Sequence, residues 1–187
     1  VRPGDANETA AAWRVILQRH HHPAGLVLSR QNLPNPARGE GTDLATTKDL
    51  ARGAYVLAEA TDADGLQTAP EVVLIATGSE VGVAVAARDI LQEEGTPTRV
   101  VSAPCLEWFA QQDAAYRKQV LPAGTARVAI EAGIALGWRE IVGDAGEIVS
   151  IDHYGSSAPG TALFKEYGFT GDNVAERARQ ALARTRG

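Results

Sequence analysis

The sequence contains one cysteine, Cys105, and no methionine among its 187 residues. A single cysteine excludes an internal disulfide and any cysteine-cluster metal site, which suits a reducing cytoplasm, so we expect a cytoplasmic location. The interpretation we favour for Cys105 is a small buried residue near a helix start, and a catalytic thiol is the alternative. The missing methionine excludes nothing by itself.

Long apolar runs and an excess of positive charge are also missing. No run approaches the ~20 apolar residues that a membrane span requires, and the polar first residues show no signal peptide. The net charge is -5, and Lys and Arg are scattered along the chain. A basic face for nucleic acid is therefore not expected, and we predict a soluble globular protein without nucleic-acid or membrane partners.

The stretch 71–104 organises the rest of the sequence. Val72 begins an apolar, β-branched run that is typical of a strand covered on both faces, and the run breaks at a Thr-Gly-Ser turn. A helix is predicted from Glu80 to Glu94, ended by Gly95 and followed by a second strand. Its predicted apolar face consists of Val83, Ala84, Ala87, Ile90 and Leu91. Together these elements predict a right-handed β-α-β unit with parallel strands.

Strands and helices alternate through the remainder of the chain. Further strands are predicted at 53–58 (an edge strand), 127–131 and 147–152, and further helices within 105–121, at 135–142, after Pro159 and at the C-terminus. This alternation predicts an α/β fold, namely a three-layer α/β/α domain with a mostly parallel sheet over residues 50–187.

The first 32 residues form a separate pattern. Asp5 and Glu8 have the spacing of a capping box, and the helix predicted after them carries an apolar stripe of Ala6, Ala10, Trp13 and Leu17. A short strand is predicted at 24–29. Because one helix and one strand cannot bury both strand faces, we interpret residues 1–32 as the tail of another, truncated α/β domain. Residues 33–49, rich in proline and glycine, predict a solvated linker.

Polar residues at predicted strand ends are the candidates for a site, because doubly wound sheets bind ligands beyond the carboxyl ends of their strands. These candidates are Arg30, the turn Thr77-Gly78-Ser79-Glu80, Glu131 and His153. The turn could present N–H groups to an anion, although it lacks the glycine spacing of a dinucleotide fingerprint, and Ser79 is explained as an N-cap.

The other candidates have ordinary structural alternatives. Glu131 has the position of a helix-capping or interface carboxylate, and His153 has no metal-spaced partner. The His20-His21-His22 run follows a helix end, where positive charge is favourable, and is not interpreted as a site. Residue patterns alone therefore lead no further than an α/β domain preceded by a fragment.

Eight segments resemble the C-terminal part of the transketolase family, and they occur in family order over nearly the whole chain. They are RPGDANETAAAW from Arg2, LVLSRQNLP from Leu26, GAYVL from Gly53, VVLIATGSEV from Val72, RVVSAPCLEWF from Arg99, QDAAYRKQVLP from Gln112, ARVAIEAGIALGW from Ala126 and FKEYGFTGDNV from Phe164. The segment LIATGSEV alone would indicate only the wider group of thiamine-diphosphate enzymes.

The resemblance implies that residues 1–32 end a pyrimidine-binding domain, that 33–49 is a linker and that 50–187 is the C-terminal domain. It implies a cytoplasmic, homodimeric transferase of the pentose phosphate pathway, which uses thiamine diphosphate and magnesium to move a two-carbon ketol unit from a ketose phosphate to an aldose phosphate. The residues for cofactor and metal are expected outside this segment, which is therefore predicted to be inactive alone. Arg30, in SRQN, matches the arginine that binds the sugar phosphate; its alternative is a solvated strand-end arginine.

Other functions stay open from the sequence. One is another thiamine-diphosphate enzyme of the same superfamily. The others are a stand-alone α/β module that binds an anion at the Thr-Gly-Ser turn, and a structural interaction domain.

Overall fold

A computed structural model describes residues 1–187. The helices are α1 (Ala6–Gln18), α2 (Glu80–Glu93), α3 (Leu106–Ala110), α4 (Ala114–Val120), α5 (Trp138–Val142), α6 (Gly160–Glu166) and α7 (Gly171–Arg186), with a 3-10 helix at Thr47–Arg52. The strands are β1 (Tyr55–Ala58), β2 (Val72–Ala76), β3 (Thr98–Ser102), β4 (Ala126–Ile130) and β5 (Glu147–Val149). No helix is long and apolar enough to cross a bilayer.

One five-stranded sheet has the order β1-β3-β2-β4-β5. Strands β3, β2, β4 and β5 are parallel, and β1 pairs antiparallel with β3 at the edge. All five residues of the central strand β2 are buried, as its continuous apolar sequence predicted. The predictions of a mostly parallel sheet and of an edge strand before the β-α-β unit are confirmed.

The two faces of the sheet are covered by different helices. Leu74 and Val128 belong to a hydrophobic cluster with residues of α2 and α7, whereas Ile75 and Ala129 belong to a cluster with residues of α3, α4 and α5. Because successive side chains of a strand point to opposite faces, these two clusters are the two sides of one sheet. The predicted three-layer arrangement is therefore confirmed.

Helix α2 has nearly the predicted bounds, and it ends before Gly95, whose φ of +80° satisfies the left-handed position after the helix. Its buried face is turned slightly from the predicted one. Val81 and Arg88 are buried, whereas Val83 and Ile90 are only partly buried. The predicted packing of Trp138 is also confirmed.

The apolar stripe predicted for α1 is wrong. Trp13 and Leu17 are 51% and 65% exposed, while the helix buries the opposite face, formed by Glu8, Ala11, Ala12 and Val15. A carboxylate on the buried face is possible only because other parts of the chain bind it, and a helical periodicity cannot show those partners.

The strand predicted at 24–29 is absent from the structure, because this segment has no strand partner along its length. Its backbone is nevertheless held at one point. The N–H of Val27 donates to the carbonyl of Val1 at 2.9 Å, and the Val1 nitrogen donates to the Gly25 carbonyl at 2.7 Å.

Most of residues 33–49 are exposed, as expected of a linker. Arg38 is among the residues that are not, because only 5% of its side chain is exposed. The domain boundary placed in this segment stays a prediction.

Candidate functional site

The side of the sheet on which the chain adds its next strand changes at β2. The chain leaves β2 for β3 on one side and then returns to β4 on the other side of β2. In doubly wound sheets this topological switch point is where ligands bind, beyond the carboxyl ends of the two strands. We call the region at the ends of these two strands, which includes Thr77 after β2 and Glu131 after β4, the switch-point crevice.

Two buried carboxylates line the switch-point crevice. Glu131 is 7% exposed and Glu80, the first residue of α2, is fully buried. The Thr77 hydroxyl donates to Glu131 Oε2 at 2.6 Å, and the Ser79 hydroxyl donates to Glu80 Oε1 at 2.5 Å. One oxygen of each carboxylate is therefore fixed by a neighbouring hydroxyl.

The second oxygen of each carboxylate faces Arg2, a residue that the sequence reasoning gave no role. Nη1 of Arg2 forms an ion pair with Glu131 Oε1, and Nη2 lies 3.3 Å from Glu80 Oε2. The Arg2 backbone is bound as well, because its N–H donates to Pro104 and its carbonyl accepts from Gly78. The crevice is thus filled from within the chain by a guanidinium group.

Ser79 stands at the predicted N-cap position of α2. Its side chain makes no capping bond, because its backbone is helical (φ -61°, ψ -21°) and its hydroxyl is directed to Glu80. Burial raises the pKa of Glu80 above its ordinary value, and the hydrogen bond from Ser79 and the charge of Arg2 partly offset that effect. Glu131 binds the Thr77 hydroxyl and pairs with Arg2 of the same chain, and its interpretation as a helix-capping or interface carboxylate stays a prediction.

An anion does not fit this crevice. The N–H groups of Gly78, Glu80 and Val81 already bind carbonyl oxygens within the chain. The two carboxylates would repel a phosphate or diphosphate group. No three His, Cys, Asp or Glu side chains are grouped so as to hold a metal ion. The residues present therefore do not fit the diphosphate of a cofactor or its magnesium ion.

A second buried polar cluster joins α1 to the sheet. We call Asp5, Glu8, Arg38, Tyr55 and Ser102 the α1 network. Glu8 Oε1 accepts from the Tyr55 hydroxyl at 2.6 Å and from the Ser102 hydroxyl at 2.7 Å, while Glu8 Oε2 accepts from the Gly4 N–H at 2.7 Å. Every oxygen of this fully buried carboxylate is thus satisfied.

Arg38 supplies the positive charge of the α1 network. Its Nη2 lies 2.6 Å from Asp5 Oδ2, and its Nη1 donates to the Tyr55 hydroxyl at 2.7 Å. Asp5 Oδ1 also accepts from the Glu8 N–H at 2.8 Å, so the predicted N-cap of α1 is confirmed. Burial, reinforced by the negative charge of Glu8, raises the pKa of Tyr55, so its hydroxyl stays a donor.

Arg30 lies apart from both clusters. It is exposed, and its side chain forms no hydrogen bond or ion pair with the rest of the chain. Apolar residues just before it, Val27 and Leu28, are 58% and 55% exposed. The surface around Arg30 is therefore open, and its guanidinium has no partner within the chain.

The histidines are not brought into either cluster. His153 is exposed, its Nδ1 lies 2.8 Å from the Tyr154 carbonyl, and its ring packs edge-on against Tyr167 at 4.9 Å. His20 to His22 are exposed at the end of α1. Cys105 is buried beside the first turn of α3, and burial raises the pKa of its thiol, so the interpretation as a buried small residue is the better one.

Comparison with known proteins links this fold to one family. The model of the transketolase-like C-terminal domain matches residues 53–170. The transketolase of Mycobacterium tuberculosis H37Rv is 54% identical over 187 residues, which covers 97% of this chain and 25% of the relative. The transketolase of Geobacillus stearothermophilus is 46% identical over 190 residues, covering 98% of this chain and 26% of the relative.

Solved structures agree with that match. Transketolase from Leishmania mexicana has a TM-score of 0.84 at 36% identity, covering 100% of this chain and 25% of the other. Transketolase from Pichia stipitis in complex with sedoheptulose-7-phosphate has a TM-score of 0.85 at 32% identity with the same coverage. The chain thus spans about a quarter of the length of these relatives. It belongs to the transketolase-like C-terminal domain family.

Proposed function

We propose that this chain serves as the C-terminal part of a transketolase, which transfers a two-carbon ketol unit from a ketose phosphate to an aldose phosphate. The observation that carries the proposal is the 54% identity to a transketolase along 97% of the chain. A structural relative bound to sedoheptulose-7-phosphate supports sugar phosphates as the substrates. The ketol chemistry would come from thiamine diphosphate, which acts as an electron sink when bound.

In this proposal, residues 1–32 end the pyrimidine-binding domain, 33–49 link the domains and 50–187 form the C-terminal domain. Since the carboxylate-lined crevice does not fit a diphosphate, we assign the cofactor and magnesium to parts of the enzyme outside residues 1–187. The family membership also leads us to propose a cytoplasmic homodimer acting in the pentose phosphate pathway. This chain is then mainly structural.

Arg30 is the residue that we propose to act on the substrate. A guanidinium offers a planar pair of N–H donors that matches two phosphate oxygens, and such charge-assisted bonds are stronger than neutral ones. Arg30 is exposed and unpaired within the chain, so it has no internal carboxylate to give up before it binds a phosphate. Its role would be to hold the phosphate end of the sugar, away from the reacting carbon.

The experiment is Arg30→Ala in the complete enzyme. We expect the loss of about 1.5–3 kcal/mol of binding, or roughly ten- to over a hundred-fold in kcat/KM, for a phosphorylated acceptor. Turnover of glycolaldehyde, which has no phosphate, should change little, and Arg30→Lys should recover only part of the loss. Arg14→Ala is the matched control, since Arg14 is another exposed arginine without an internal partner. Equal losses for both acceptors would make Arg30 a structural residue.

The intact mass of the native protein distinguishes a transketolase from a stand-alone domain. The intact mass of the native protein should be several times that of a 187-residue chain if it is a transketolase. A native product of 187 residues would instead favour a stand-alone structural domain. The anion-binding version of that alternative is disfavoured because the N–H groups of Gly78, Glu80 and Val81 are already bonded.

A further inference from the structure

We infer that the switch-point crevice is a guanidinium-binding site whose ligand is Arg2 of the same chain, and that Arg2 positions the segment 25–30. The inference rests on the proposed function only for what Arg30 does with a substrate. The positioning itself follows from contacts that need no substrate.

The chemistry of the crevice fits a guanidinium group specifically. Each carboxylate gives one oxygen to a hydroxyl: Glu131 to Thr77, and Glu80 to Ser79. The oxygens left over are Glu131 Oε1 and Glu80 Oε2, and both face the two Nη atoms of Arg2. A planar guanidinium places one Nη group against each carboxylate at once, as a hydrogen bond to Glu80 and as an ion pair with Glu131, which a single ammonium group cannot do with the same geometry. The crevice is therefore preorganised for one guanidinium.

Seating Arg2 fixes its backbone as well as its side chain. The Arg2 N–H donates to the Pro104 carbonyl after β3 at 2.7 Å, and the Gly78 N–H after β2 donates to the Arg2 carbonyl at 3.1 Å. Gly78 has a φ of +54°, and a Cβ built there would lie 3.4 Å from Nη2 of Arg2. Three strand ends, those of β2, β3 and β4, thus hold this one residue.

Val1, the residue before Arg2, connects Arg2 to the segment that precedes Arg30. Val1 bonds to Gly25 and Val27 on either side of Leu26, and Leu26 packs against the main hydrophobic cluster. Most other residues of 24–32 are exposed. The Val1 contacts are thus the backbone hydrogen bonds that tie this segment to the first residues of the chain, and they depend on where Arg2 sits.

Hydrogen exchange on the 187-residue chain tests the inference. In Arg2→Ala, we expect the amide of Val27, which is the amide of residues 25–30 that donates a hydrogen bond, to exchange roughly tenfold faster or more, because a lost anchor lowers the free energy of local opening. The amides of β2 and β4 should keep most of their protection. Arg14→Ala, an exposed arginine on α1, should leave residues 25–30 unchanged. Arg2→Lys should be intermediate, because it keeps the charge but not the planar fork.

Chemical rescue tests the guanidinium site. Millimolar ethylguanidinium should slow the exchange of the Val27 amide in Arg2→Ala back toward that of the parent chain, whereas ethylammonium at the same concentration should not. The inference is overturned if Arg2→Ala behaves as Arg14→Ala does, or if the two cations act alike. Should Arg2→Ala fail to fold, the same comparison on Arg2→Lys decides, since its segment must exchange faster than in the parent and respond to ethylguanidinium. No substrate is present, so a failed phosphate role for Arg30 would not affect the result.

Discussion

Arg2 and Arg30 carry the same chemical group in opposite surroundings. Arg2 faces two buried carboxylates and is bound through its backbone, whereas Arg30 is exposed and has no partner in the chain. A guanidinium already paired with buried carboxylates is held in place by the cost of leaving them uncompensated. An exposed, unpaired guanidinium keeps all its donors for a ligand. The surroundings therefore favour a structural role for Arg2, and the phosphate role of Arg30 stays a proposal.

The charge state of the switch-point crevice makes the effect of Arg2→Ala depend on pH. Burial raises the pKa of Glu80, and Arg2 counteracts that rise because it favours the ionised form. The stability that Arg2 contributes is thus present when the carboxylate is ionised and is lost as pH falls through its folded-state pKa. We expect the loss of unfolding free energy in Arg2→Ala to be larger at about pH 7.5 than at about pH 5.

Urea denaturation of both chains at several pH values measures that difference. Glu80→Gln combined with Arg2→Ala is the control, because the double variant removes the titrating group together with its counter-charge. Its stability difference from Glu80→Gln should depend less on pH, with Glu131 as the remaining titratable carboxylate facing Arg2. A loss that is the same at every pH would show that Arg2 acts through packing and not through charge.

At the scale of elements, the local unit was predictable and the docked helix was not. Strand β2, helix α2 and strand β3 follow from an apolar run, a helical period and Gly95, all of which are local in the sequence. The orientation of α1 depends on Tyr55 and Ser102, which bind Glu8 from far along the chain. Hydrophobic periodicity places Trp13 inside and Glu8 outside, and tertiary hydrogen bonding reverses that order.

The α1 network should contribute strongly to the docking of that helix. Arg38→Ala leaves Asp5 and Glu8 buried without their counter-charge, and removing one partner of a buried ion pair costs about 3–5 kcal/mol of unfolding free energy. Arg179→Ala breaks an ion pair with Glu94 whose side chains are 41% and 44% exposed, so it should cost far less than Arg38→Ala because water already screens that pair. Chemical denaturation of the two variants measures both losses, and similar values would contradict the importance of the network.

At the scale of the whole molecule, the sequence predicted two residues of the switch point, Thr77 and Glu131, but not Arg2. Thr77 and Glu131 were candidates because they follow predicted strands, and the structure brings them within hydrogen-bond distance. Arg2 was missed since it is 129 positions from Glu131 in the sequence and no local pattern marks it. The strand order that unites these residues is a property of the complete sheet, which local patterns do not specify.

The chemistry of the crevice also predicts whether the 187-residue chain binds thiamine diphosphate. Two buried carboxylates and the bonded N–H groups of the Thr-Gly-Ser turn leave no favourable place for a diphosphate. We expect isothermal calorimetry of the 187-residue chain with thiamine diphosphate and magnesium to show no saturable heat, and the same chain to show no ketol transfer. Micromolar binding by this chain would contradict the assignment of the cofactor to residues outside it.

The last prediction concerns the stability of residues 50–187 when the segment before them is removed. A chain that begins at Thr46 loses Arg2 from the switch-point crevice, so Glu80 and Glu131 keep only their hydroxyl partners. It also loses Ala11, Ala12 and Val15, which cover part of the main hydrophobic cluster. Uncovered apolar surface and uncompensated buried carboxylates both lower stability, so we expect this chain to unfold at a clearly lower urea midpoint than the 187-residue chain. Glu80→Gln and Glu131→Gln together should recover part of that loss in the short chain while destabilising the full one, because only the full chain has a guanidinium for them to pair with. Equal midpoints for the short and full chains would mean that residues 1–45 rest on the sheet without stabilising it.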